Sequence, residues 1–226
     1  MATVKVVDLV SKVKTLLQDT TSVRWPLLEL QTWLNDGYRE ITNIRPDVNT
    51  NTGEFVCVAG ARQDLITTFP SALRLVDVVR NTAVTSTKGA VRLISRKMLD
   101  DQRRTWYAET PSVTIEHFMF DPRVPKEFLV YPPATTAARL EVIYSSVPTE
   151  HTLTEVQLGN TATAEVIRID DSFANVLVDY MLYRAYSKDA EYAGNGSRAT
   201  AFYAAVQQAL TTKAQVDAAL QPGSTK

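Results

Sequence analysis

The stretch Asp170–Gly196, DDSFANVLVDYMLYRAYSKDAEYAGNG, limits the possible folds more than any other part of the chain. Two acids and a serine open it, the residue types that satisfy the free amides of a helix start and suit its positive end. Phe173, Leu177, Tyr180, Met181 and Ala185 then recur at intervals of three and four, which places them on one helical face. Val176, Val178, Leu182 and Tyr183 widen that face until only a narrow stripe of Asn175, Asp179 and Asp189 remains polar. A helix this apolar packs between other elements instead of lying on a surface. Gly194 and Gly196, with Asn195 between them, mark its end, and Ser197 is placed to cap a second long helix running to Leu220.

Other helices must surround such a post. Val6–Gln18 has helical spacing in Val6, Leu9, Val10, Val13, Leu16 and Leu17. Trp25-Pro26 starts a second helix, because proline suits the first helical position, and Leu27, Leu30, Leu34, Tyr38 and Ile41 form its buried stripe. Gly37 inside that stripe costs roughly 1 kcal/mol against alanine, so close approach of another helix, the central post, is expected there. Arg45-Pro46 ends it, since a residue before proline is pushed out of helical geometry.

From Val48 the pattern changes to short runs rich in β-branched and aromatic residues: Glu54–Val58, Asp64–Thr67, Arg74–Arg80 and Ala90–Leu93. Ser95–Arg103 reads as a short helix. Val113–Phe120 alternates, Glu127–Tyr131 returns as a strand broken by Pro132-Pro133, and Leu140–Tyr144 gives one more. His151–Thr163 reads as a hairpin or loop and Glu165–Ile169 as a last strand. The expected fold is therefore α+β: a helical bundle drawn from both chain ends, 1–47 with 169–226, and a β-rich insertion over 48–168, either an antiparallel sheet or a small barrel. Gln221–Lys226 has nothing with which to fold and is expected to be a tail.

Bulk composition narrows the function classes. With 226 residues the chain can bury a sizeable core, and a net charge of −1 gives no global case for nucleic acid or an anionic membrane. Cys57 is the single cysteine, which excludes an intramolecular disulfide and the cysteine-rich zinc classes. There is no signal peptide pattern and no membrane span, so a soluble protein made in a reducing compartment is expected.

Catalytic patterns are missing. His117 lies on an alternating strand and His151 in a polar loop with no spacing partner, so neither suggests a metal site. Cys57 among apolar neighbours points to an inert, buried thiol. The acid pairs Asp100-Asp101 and Asp170-Asp171 suit a solvated surface and a cap better than an active dyad. Neither catalysis nor a cofactor or metal is expected; a hydrolase built on Asp170 and Asp171 is the remote reading. Two features remain as interface candidates. Arg92, Arg96, Lys97, Arg103 and Arg104, followed by Trp106 and Tyr107, make a basic segment that either touches phosphates or an acidic partner, or pairs internally. Arg184 lies on the apolar face of the central helix and needs a carboxylate, from Asp36, Glu40 or a neighbouring subunit.

Four blocks carry a family resemblance: VRWPLLELQTWLNDGYREITNIRPD (Val23–Asp47), LRLVDVVRN (Leu73–Asn81), HFMFDPRVPKEFLVYPP (His117–Pro133) and the Asp170–Gly196 stretch. In this order they resemble the head-to-tail adaptors of short-tailed phages, also called tail tubular protein A or gatekeeper proteins. Pro26 stands where the resemblance leads one to expect serine or threonine. The resemblance implies a virion structural protein in the neck, present in the host cytoplasm during assembly. It implies a ring of about twelve copies beneath the portal, closed by rotational symmetry. Such a ring would line a channel through which double-stranded DNA passes without sequence recognition. Its further partners would be a tail nozzle protein resembling tail tubular protein B, and the tail fibres; no membrane is implied. The tail Gln221, Pro222, Gly223, Ser224, Thr225 and Lys226 would dock on the portal. Arg184, Arg96, Arg103, Arg104 and Trp106 are the expected subunit or tail contacts. The alternative, from another class, is a phage-encoded DNA-binding accessory protein that uses Arg92–Arg104.

Overall fold

The computed structural model describes residues 2–192 and 194–219. Its elements are α1 (Val6–Leu16), α2 (Leu27–Ile44), β1 (Thr50–Val56), β2 (Gly60–Asp64), β3 (Ala72–Asn81), β4 (Arg92–Leu93), α3 (Arg96–Gln102), β5 (His117–Phe120), β6 (Glu127–Ala134), β7 (Arg139–Ser146), α4 (Glu155–Leu158), α5 (Ala174–Lys188) and α6 (Asn195–Ala219). The fold is α+β, and its residues cluster into two units, Met1–Val48 with Pro148–Lys226, and Asn49–Val147.

In the helical unit, α5 is the post. Leu177, Met181 and Ala185 are fully buried, and they share one core with Val6, Val10 and Val13 of α1, Leu30, Leu34 and Ile41 of α2, and Val206 and Leu210 of α6. The α2 glycine has the expected cause. A Cβ on Gly37 would stand 3.1 Å from Leu177 Cδ2 and 3.2 Å from Tyr180 Cδ1, so α2 and α5 approach more closely here than a methyl fits without shifting those side chains. Gly37→Ala is therefore expected to lose about 1 kcal/mol net in urea unfolding, because overpacking by one methyl outweighs the gain in helix propensity.

Before α5, Asp170 accepts a hydrogen bond from the Ser172 amide and opens a single 3-10 turn, Asp171–Phe173. Asp171 reaches the other chain end: its carboxylate accepts from the Thr3 and Val4 amides and the Thr3 hydroxyl. The helix stops at Lys188, short of the glycines, and α6 begins at Asn195 and not at a Ser197 cap. Gly194 supplies the positive φ of 82° between them. The Asn195 amide group donates to the Asp189 carbonyl and carboxylate, tying the two helices across the turn.

Three expectations for the segment before α5 need correction. Residues 148–168 belong to the helical unit, not to the β insertion. Glu165–Ile169 is no strand: only Val166 bridges to Lys5, since the partner backbone leaves at once into α1. His151–Thr163 contains α4, opened by a capping box in which Thr154 and Gln157 satisfy each other's amides.

The second unit has two sheets, ordered β1-β7-β3 and β2-β6-β5-β4, antiparallel except for the β4–β5 pair. Phe55, Leu75, Leu140 and Val142 from the first share a core with Phe118, Phe128 and Val130 from the second. The two sheets enclose this core and are joined along one side, where Arg80 of β3 bridges Ala90 just ahead of β4. Edge strand β3 buries Ala72, Leu75, Val78 and Asn81, every third residue, because its register against β7 shifts three times. Repeated bulges of this kind also blunt an edge.

A small second cluster covers part of the outer face of the four-stranded sheet. Met119 and Tyr131 turn away from the shared core and pack under Leu99 of α3 and Trp106. The alternating run Val113–Phe120 is strand only from His117. Ahead of it, the buried Asn81 side chain donates to the Ile115 carbonyl and accepts from the Ile115 amide, so a side chain takes the place of a neighbouring strand. Strand β6 continues through Pro132-Pro133 to Ala134 instead of breaking there. The facing strand shifts register between Gly60 and Arg62 at that point, so the missing proline amides leave no ladder bond unmade.

Candidate functional site

The residues singled out in the sequence fall into separate places. Gln221, Pro222, Gly223, Ser224, Thr225 and Lys226 lie outside the described residues. Trp106 is not a surface residue. It is fully buried, its indole N–H donates to Asp100 Oδ1 at 2.8 Å, and its ring stacks on Tyr107. An aromatic that roofs its own core has no face left for a base or a partner, which corrects its assignment as a contact. Arg103 bridges Glu109 at 3.2 Å and the Tyr131 hydroxyl at 2.9 Å, and Arg96 lies 3.6 Å from Asp100. Arg104 is exposed. Two of the five cations of the basic segment, Arg96 and Arg103, thus pair with nearby acids.

Arg184 has one of its expected partners, although it is less buried than its place on the apolar face suggested. It lies at the rim of the α2–α5 contact with its side chain 41% exposed, and faces Asp36 at 3.7 Å. Around it runs a half-buried aromatic belt formed by α5 and α6. Tyr183 packs on Tyr180 and, at 4.8 Å between ring centroids, on Tyr203; Tyr186 stacks on Phe202. Arg198 lies over the Tyr186 ring at 5.7 Å, and the Tyr203 hydroxyl donates to Glu40. Aromatic rings with arginines between them, ordered by their own chain and still partly open, have the composition of protein interface centres. This belt is the candidate site of the helical unit.

The acids of the remote hydrolase reading are committed elsewhere. The Ser172 hydrogen bonds hold Asp170 below the usual carboxylate range, and Thr3 and Val4 do the same for Asp171. Both carboxylates accept backbone amides, Asp170 from Ser172 and Asp171 from Thr3 and Val4, which stabilises their ionised form in a capping role. Burial pushes the Cys57 thiol up to about 12, which suppresses its thiolate. Among the described residues no cluster of three or more metal-binding side chains occurs, and no helix is long and apolar enough to cross a membrane.

One polar centre was invisible in the sequence. His151, 2% exposed, sits between Tyr38 and Glu165: its Nε2 lies 2.9 Å from the Tyr38 hydroxyl and its Nδ1 2.5 Å from Glu165 Oε1. The Arg168 amide donates to the same tyrosine oxygen, and its guanidinium to the same glutamate. The Asn35 side chain closes the set: its amide donates to the His151 carbonyl and its Oδ1 accepts from the His151 backbone N–H. Burial lowers the imidazole pKa despite the opposing glutamate, so the ring is neutral, donating to Glu165 and accepting from Tyr38. With the imidazole itself buried and Glu165 and Arg168 at its outer edge, this centre fastens His151 and the residues around it to α2.

A family model described as SU10 adaptor protein matches residues 4–225. No curated protein matches the chain.

Proposed function

The chain belongs to the SU10 adaptor protein family, a family of phage adaptors, and on that premise we propose that it is the structural head-to-tail adaptor of a virion, seated between the portal and the tail nozzle. The match over residues 4–225 is the observation that carries this reading, since it takes in both units and all four blocks of the sequence resemblance. In this reading copies of the chain close into a ring, a dodecamer, around the DNA channel. The aromatic belt of α5 and α6, with Arg184 at its rim, supplies the subunit contact. Arg96, Arg103 and Arg104 face the tail, and Gln221–Lys226 docks on the portal. A net charge of −1 suits a channel through which DNA slides, because a basic lumen would retain it. The adaptor does no catalysis; it joins, retains and passes.

Immunogold labelling of purified virions tests the location. Label confined to the neck is expected, and label spread over the capsid, or none on virions that contain every other structural protein, contradicts it. A second test separates the adaptor from the DNA-binding alternative. Affinity of the chain for duplex DNA is expected to be negligible at 150 mM salt, whereas a DNA-binding protein would show strong binding with a steep salt slope.

A further inference from the structure

The outer face of the four-stranded sheet carries an open groove of about 1030 Å³ beside α3. Met119 and Leu129 line it, together with the exposed Leu93, Tyr107 and Val124. Four cations line it, Arg62, Arg96, Lys97 and Arg123. Three of them have carboxylates of their own: Arg62 with Glu127, Arg96 with Asp100 and Arg123 with Asp121. Lys97 has no ion-pair partner among the described residues.

The charge order of α3 is unusual. Arg96 and Lys97 occupy its first turn and Asp100 and Asp101 its last, the reverse of what the helix dipole favours. Ser95 precedes the helix without making a capping hydrogen bond. With seven residues, α3 is too short to offer an anion site of its own. What needs explaining is why two cations stand at its unfavourable end. Local rules broken in this way mark functional positions. Both cations are exposed, and both border the groove at Leu93, which is 63% exposed.

We propose that this groove is a docking site for an extended acidic segment of another protein, one that places a leucine or aromatic side chain against Leu93, Tyr107 and Val124 and its carboxylates on Lys97 and Arg96. The long, loose Arg96–Asp100 pair, 3.6 Å and solvent-exposed, is readily exchanged for an incoming carboxylate. A peptide fits better than a nucleic acid. Asp100, Asp121 and Glu127 also line the groove and would repel a continuous phosphate backbone, whereas a peptide sets its charges singly and lays apolar residues between them. The site lies wholly within the Asn49–Val147 unit, and it stands or falls independently of the head-to-tail reading.

Selection of a random octapeptide library on the full-length protein tests it. The expected winners carry two or more carboxylates flanking a leucine or aromatic residue. They should bind the double variant Arg96→Gln/Lys97→Gln about tenfold more weakly, and Leu93→Thr should weaken them comparably. Thermal midpoints of both variants are expected to match the parent, since all three side chains are exposed, so lost binding is not lost folding. Uncharged or basic winners, acidic winners that bind both variants as tightly as the parent, or a 12-base-pair duplex that competes for the groove would overturn the proposal.

Discussion

Trp106→Ala is expected to destabilise the sheet unit by about 3–5 kcal/mol, the usual cost of emptying a fully buried tryptophan site. The residue is completely enclosed, roofs Met119 and Tyr131, and also holds Asp100 through its indole N–H. Native-state hydrogen exchange reads the loss where it occurs. Protection of the Phe118 and Val130 amides should collapse, while amides of α2 and α5, in the other unit, exchange as before. Unchanged exchange together with altered assembly would instead make Trp106 a contact residue, as its sequence neighbourhood first suggested. Trp106→Phe, which keeps the ring contact but drops the donor to Asp100, should cost roughly 1–2 kcal/mol.

The second large effect concerns His151. Replacing it with alanine strips the Tyr38 hydroxyl and Glu165 of their buried partner, and a loss of about 3 kcal/mol in urea unfolding is expected. The same centre sets an acid limit. Burial depresses the imidazole pKa of the folded protein below the ordinary value of 6.5, so the unfolded chain binds this proton more readily. The stabilisation is complete above about pH 6.5 and is lost as pH falls from there towards the folded-state value. His151→Gln, unable to titrate, should flatten the urea midpoint between pH 7 and pH 5. An equally steep decline in that variant would place the acid sensitivity elsewhere. Asp47 and Asp121, whose carboxyls arginines hold below their ordinary range, begin to lose their contribution only as pH falls through that lower range.

What the sequence made legible depended on whether local periodicity and tertiary packing agreed. They agree in α1, α2 and α5, where apolar spacing matches the buried faces, and at Gly37, whose cost in a helix pointed to the neighbour that α5 provides. They disagree wherever a distant residue completes the structure. Val113–Phe120 alternates like a strand, yet Asn81 captures the backbone of Ile115 from 34 positions away. In β3 the bulges turn a period of two into one of three. His151–Thr163 looks polar and weakly patterned because its order comes from Tyr38, Asn35 and Gln31 on α2, through hydrogen bonds that no window of sequence contains.

The candidate sites divide in the same way. Arg184 was noticeable because a cation interrupts an apolar face, and Asp36 was among its expected partners; its exposure followed only once the helices were packed. The aromatic belt was half legible. Tyr180 and Tyr183 were placed on the apolar face of the central helix and Phe202 on the last helix, but the alignment of the rings depends on the Gly194 turn. Trp106 misled because tryptophan beside arginines has the same appearance in a binding patch and in a small covered core.

Disrupting the belt should separate assembly from folding. Tyr183→Ala/Phe202→Ala removes two half-buried rings, so the monomer should lose no more than about 2 kcal/mol, while ring formation is abolished. Analytical ultracentrifugation, with circular dichroism as the folding control, reads both. An intact ring in this variant would move the subunit contact elsewhere.

Native mass spectrometry of the chain mixed with the portal protein from the same genome tests the central claim most directly. The account predicts a portal complex carrying one copy of this chain per portal subunit, and loss of that complex when residues 221–226 are deleted. A chain that stays monomeric beside the portal, with or without those residues, would contradict it.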